Sequence, residues 1–133
     1  MPLPAKSVPL RTADNLIVAT YNIQFLGERD HDLEKIAEVI QHFDICGLIE
    51  VKKEAEILRI IEKLEVKTNK DWGFIHGIRT HRPGGTYHET FGFVWLRERV
   101  QLGDGLVSNI WDKTEKFRND PFVATFKRKK FDL

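Results

Sequence analysis

Cysteine is nearly absent. Cys46 is the single cysteine of 133 residues, so no disulfide can form within the chain, and its setting in FDICGLIE suits a small buried apolar side chain. This favours a reducing, cytoplasmic setting. No apolar run approaches the length of about 18 residues that a membrane span requires, and MPLPAKSVPLRTADN at the amino terminus lacks the continuous apolar stretch of a secretory signal. The expectation is a soluble protein that is not exported. Net charge is also scarce: at +1, no overall basic field marks the chain for nucleic acid, and any anion site must be a local cluster. Repeats, low-complexity tracts and internal linkers are missing too.

What is present is enough apolar material, 41% of residues, for one core in one domain. Residues 1–14 read as a flexible, proline-punctuated leader, and 15–133 as a single domain. Leu16 to Ile23 is a continuous apolar run, as in a strand covered on both faces. Asp30 or Asp32 then caps a helix carrying Leu33, Ile36, Ala37, Ile40 and Phe43 at helical spacing. DICGLIEV is a second buried run, so residues 16–50 spell a strand, helix and parallel strand. A second amphipathic helix is expected from about Glu54 to Glu65, with Ile57, Leu58, Ile61 and Leu64 on one side. WGFIHGI, TFGFVWL, VQLGDG and PFVATFK read as further strands, continuing the sheet antiparallel, while LVSNIWDKTEKF is ambiguous. The class is α/β with a mixed sheet.

Asn22 in VATYNIQFLG and Glu50 in GLIEV each end a buried run. In parallel-type sheets those carboxyl ends line the crevice where ligands bind. One carboxylate there suits a hard cation such as Mg²⁺, which completes its shell with water and substrate phosphate. An amide beside it can donate to a phosphate oxygen without adding charge. Taken singly, Asn22 also suits the start of a turn, and Glu50 the first solvated residue after a strand.

Four segments in order carry a resemblance: TYNIQFLG, FDICGLIEV after one helix, YHETFGFVW after a turn, and FRNDPFVATF. Together they resemble the endonuclease/exonuclease/phosphatase superfamily, with its deoxyribonuclease I-like sandwich. The resemblance implies half of that sandwich, a mixed sheet with helices on one face. It implies Glu50 as the Mg²⁺ ligand, with Mn²⁺ as an alternative, and Asn22 as the active-site asparagine. Glu89 resembles an acid that orients the catalytic histidine in nuclease members, Tyr87 an aromatic contacting the sugar, and Arg118 a phosphate-contacting arginine. Lys52 stands where such nucleases often carry a basic residue. Tyr87 and Glu89 also suit a cross-strand aromatic and a surface acid, and Arg118 and Lys52 suit solvated charges.

The departures are as informative. The family's Asp-x-Asn and Ser-Asp-His motifs do not occur, and His31, His42, His76, His81 and His88 lie in other contexts. The sequence ends at KKFDL, where the family continues into the strand that delivers its histidine. The expectation is therefore a truncated Mg²⁺-dependent phosphodiesterase or nuclease-like domain, catalytically incomplete alone. The alternatives are a non-catalytic module binding nucleic acid or protein, and a truncated remnant that self-associates. IRTHRPGGTYHE mixes Arg79, His81, Arg82 and Tyr87, which suits non-specific binding of a nucleic-acid backbone. An open sheet face implies a homodimer, with Phe91, Phe93, Trp95 and Phe122 lining its interface, or a missing carboxy-terminal half.

Overall fold

A computed structural model describes residues 8–77, 90–105, 107–110 and 121–129. In chain order these form β1 (Val18–Leu26), α1 (Leu33–Ile40), β2 (Ile45–Val51), α2 (Ala55–Thr68), β3 (Trp72–His76) and β4 (Thr90–Leu96). Four short strands follow: β5 (Val100–Leu102), β6 (Ser108–Asn109), β7 (Phe122–Val123) and β8 (Phe126–Arg128). The main sheet has the order β1-β2-β4-β3, with β1 parallel to β2, and β4 antiparallel to both β2 and β3. The mixed α/β class is as the sequence implies. β5 pairs with β8 and β6 with β7 in two small antiparallel ribbons.

Both helices pack through one stripe against one face of the sheet. In α1 the buried residues are Leu33, Ile36, Ala37 and Ile40, and the Asp32 side chain caps the first turn by accepting from the Lys35 N–H. The helix stops before Phe43, which is only partly buried against the core. In α2 the buried set is Ile57, Ile60, Ile61 and Leu64. Leu58, expected on this stripe, is 46% exposed, because residues 57, 60, 61 and 64 complete the helical repeat and position 58 falls off its side. The helix runs to Thr68 and ends at Asn69 in the left-handed conformation, whose N–H bonds to the Glu65 carbonyl. Lys67 and Lys63 of α2 reach Glu34 of α1 at 3.1 and 3.7 Å.

β1 departs from the expected doubly covered strand. It is an edge strand, and Val18, Thr20 and Asn22 are exposed, while Ala19 and Tyr21 pack partly against the helix-side core. The apolar run had hidden an alternation, since Ala19 and Tyr21 face inward opposite a row that is merely uncharged. On the far face of the sheet Ile45, Trp95 and Val100 form a second cluster with Leu16, Ile75, Phe93 and Phe126. There Phe93 lies 5.7 Å from Phe122 and 5.4 Å from Phe126, and Trp95 lies 5.3 Å from Phe126, centroid to centroid. The chain thus half-covers Phe93 with its own β7 and β8 and buries Trp95 to 3% exposure, so Trp95 does not line an open face as expected.

Ahead of β1, Arg11 donates from Nε to the Asp44 carboxylate and from its other end to the carbonyls of Gln41 and Phe43. Arg99 donates to the carbonyls of Thr12 and Asn15. These bonds hold residues 11–15 against the start of β2 and the turn after β4.

Candidate functional site

The carboxyl ends of β1 and β2 are irregular at the same level. Asn22 pairs with Ile49, and the next pair is Leu26 with Val51, so three residues of β1 lie opposite the single Glu50. On the other side of β2 the pairing passes from Leu48 with Gly92 to Val51 with Thr90, which inserts one extra residue into β2. Gln24, Phe25 and Glu50 all adopt positive φ, at 52°, 61° and 63°. That region is costly for residues with a side chain, and such strain clusters at ligand sites.

The irregularity re-aims the side chains. Strict alternation from Cys46 and Leu48 would assign Glu50 to the apolar core under the helices. Instead the bulge gives that core position to Val51, which is fully buried, and leaves Glu50 half-buried. In β1, likewise, both Ile23 and Leu26 enter the core although three residues apart. Asn22 remains exposed, and its Oδ1 accepts from the Gln24 N–H at 2.9 Å, which opens the irregular segment and leaves Nδ2 as a donor.

Past the bulge, the Leu26 carbonyl accepts from the N–H groups of both Lys52 and Lys53, at 2.9 and 3.0 Å. Gly27 follows at φ 94°, and a Cβ there would lie 2.5 Å from the Lys53 Cβ, so only glycine fits this turn. Lys52 is nearly buried; its Nζ is 5.3 Å from the centre of the Phe25 ring and 3.9 Å from a Glu28 carboxylate oxygen. The guanidinium of Arg29 stacks on the same ring at 4.5 Å.

Of the six residues anticipated for the site, the structure places Asn22 within β1 at the last pair before the register shift, Glu50 one residue before the end of β2, and Lys52 just past it. Tyr87, Glu89 and Arg118 lie outside the described residues, as do Arg79, His81 and Arg82. Phe25 and Arg29 were missed by the sequence reading, since nothing in QFLGER distinguishes a ring that collects two cations from an ordinary strand end.

A search of protein families finds no family model that matches the chain. The chain is similar to a deoxyribonuclease from Thioalkalivibrio sp. (strain K90mix), with 29% identity over 126 residues. That similarity covers 94% of this chain and 34% of the relative. The chain therefore spans about a third of the length of the protein it matches.

The donor set can be weighed for a metal. Among the described residues no group of three or more His, Cys, Asp or Glu side chains could hold an ion. Glu50 offers one carboxylate, which forms no hydrogen bond or ion pair among the described residues. A single half-buried carboxylate fits Mg²⁺, which accepts water and phosphate for most of its shell, better than Zn²⁺ or Ca²⁺. Cys46 is no candidate nucleophile: burial pushes its thiol up to about 12.

Proposed function

We propose that this chain is the metal- and phosphate-binding portion of a nuclease-like phosphodiesterase, with Glu50 as the Mg²⁺ ligand. The supporting observation is the strained bulge that lifts Glu50 out of the core next to the pair Asn22 makes with Ile49. The similarity to a deoxyribonuclease over nearly the whole chain supports the same reading. When bound, Mg²⁺ would neutralise charge on a phosphodiester and polarise its phosphorus centre. Asn22 Nδ2 donates to a non-bridging phosphate oxygen, and Lys52, held against Phe25, adds positive charge behind it. Tyr87 and Arg118 complete the proposed substrate contacts, and Glu89 is proposed to orient a catalytic histidine. The sequence contains neither Asp-x-Asn nor Ser-Asp-His, so the groups that activate water come from another polypeptide segment. A second copy of the chain is the partner proposed for the open sheet face.

The test is calorimetric titration with Mg²⁺ and Mn²⁺ of wild type and Glu50→Gln, alongside cleavage of a supercoiled plasmid. Weak binding heats that disappear in Glu50→Gln, with slow cleavage or none by the chain alone, are the expected result. Equal heats from the two proteins would remove Glu50 from the site.

A further inference from the structure

Beside the crevice, the turn after β1 and the first turn of α2 enclose a cleft of about 250 Å³ lined by Gly27, Arg29, Asp30, His31, Leu33, Glu56 and Arg59. Its lining combines two guanidinium groups with an imidazole. Arg29 forms no ion pair among the described residues, and its guanidinium lies over the Phe25 ring. The backbone behind it is rigid: the N–H groups of Glu28 and Arg29 both bond to the Phe25 carbonyl, at 2.9 and 3.1 Å. His31 Nδ1 lies 2.7 Å from the Arg29 carbonyl. A carbonyl only accepts, so Nδ1 carries a proton, and Nε2, an acceptor in the neutral ring, is not a contact for a phosphate. Arg59 Nη1 lies 3.1 Å from both Glu56 carboxylate oxygens, which neutralises that acid within the cleft while leaving Arg59 63% exposed.

We infer that this cleft is a second backbone-phosphate subsite for a nucleic-acid strand whose scissile phosphate lies at Glu50, an inference that rests on the function proposed above. Arg29 is the central contact. It touches Phe25, which also carries Lys52, so one ring links the cations of the crevice to those of the cleft. A planar guanidinium with no carboxylate partner is suited to a phosphate, which it can grip through two N–H groups. Asp30 at the rim works against an anion and tunes the affinity downward. Phosphates along a strand repeat at short intervals, and the turn that bears Arg29 directly follows β1, the strand that carries Asn22.

The test is fluorescence anisotropy of a labelled oligonucleotide in EDTA, where no metal-dependent cleavage occurs, across a salt series. Arg29→Ala is expected to weaken binding about three- to tenfold and to lower the steepness of the log–log salt dependence by about one. Asp30→Asn is expected to tighten binding, and Arg29→Lys to restore the salt dependence but only part of the affinity. Wild-type affinity and salt dependence in Arg29→Ala, with unchanged circular dichroism, would overturn the inference, as would absence of binding by wild type. Because these measurements exclude metal, a failure of the Glu50 assignment appears separately, as equal Mg²⁺ heats for wild type and Glu50→Gln.

Discussion

Asp44 and Arg99 form a buried ion pair, with Nε 2.8 Å from Oδ1 and side chains 0% and 4% exposed. The same carboxylate accepts from Arg11 Nε at 2.8 Å and from the Ile17 N–H at 2.8 Å. One acid thus ties the segment before β1 and the turn after β4 to the first residue of the β2 run. Removing one member of such a set strands the others as buried charges. Asp44→Ala is expected to cost about 3–5 kcal/mol, measured as a lower midpoint in urea unfolding. A loss under about 1 kcal/mol would mean that the two arginines are solvated without it.

Glu50 occupies a left-handed conformation that a residue with a side chain holds only at a cost. Glu50→Gly relieves that strain and gives back part of the gain through the freedom glycine has when unfolded. The expected outcome is a net stabilisation of about 0.5–1 kcal/mol together with loss of the Mg²⁺ heat. A protein destabilised by this change would show that the Glu50 side chain is there for packing.

Gly27 answers to two constraints at once, φ of 94° and the approach of Lys53 to 2.5 Å from a built Cβ. Gly27→Ala is therefore expected to destabilise by about 1–3 kcal/mol. Because this turn carries Arg29, oligonucleotide affinity in EDTA falls with it. Unchanged thermal unfolding in Gly27→Ala would contradict the tight turn.

Cys46 supplies a pH dependence. Burial raises its thiol from 9.0 to about 12 in the folded state, so between these values the unfolded chain has released a proton that the folded chain retains. Fewer protons on the unfolded state means that stability falls as pH rises. The contribution is complete below 9.0 and is lost progressively toward pH 12. Cys46→Ala should flatten the alkaline slope of stability, read by urea unfolding from pH 8 to 10. In wild type at pH 8, a thiol reagent should label Cys46 at the rate of unfolding.

Much of the architecture was legible in the residues themselves. The apolar spacing of Leu33, Ile36, Ala37 and Ile40, with Asp32 before it, specifies α1 and its start through local hydrogen bonding and a single stripe of burial. Strand, helix and strand over so few residues leave little choice but a parallel pair, and β1 lies parallel to β2. The place of Glu50 near the end of β2 was likewise readable from where its apolar run stops, whereas β1 runs four residues past Asn22 to Leu26.

Other features depend on partners distant in sequence. Whether Ala19 or Thr20 faces inward is a matter of which neighbour β1 obtains, and as an edge strand it obtains only β2. The doubled bulge at Gln24, Phe25 and Glu50 arises because Ile23, Leu26, Leu48 and Val51 all enter one helix-side core, and alternation alone cannot place all four there. Phe25 gathers Lys52 and Arg29 only because Leu26 accepts from the backbone beyond β2. Sequence by itself determined the helical stripes, the order of strands and helices and the chemical kinds of residue they carry, since these follow from local periodicity and polarity. Tertiary structure decided which face each residue took and which charges met, because register and burial are settled by contacts between segments, not within them.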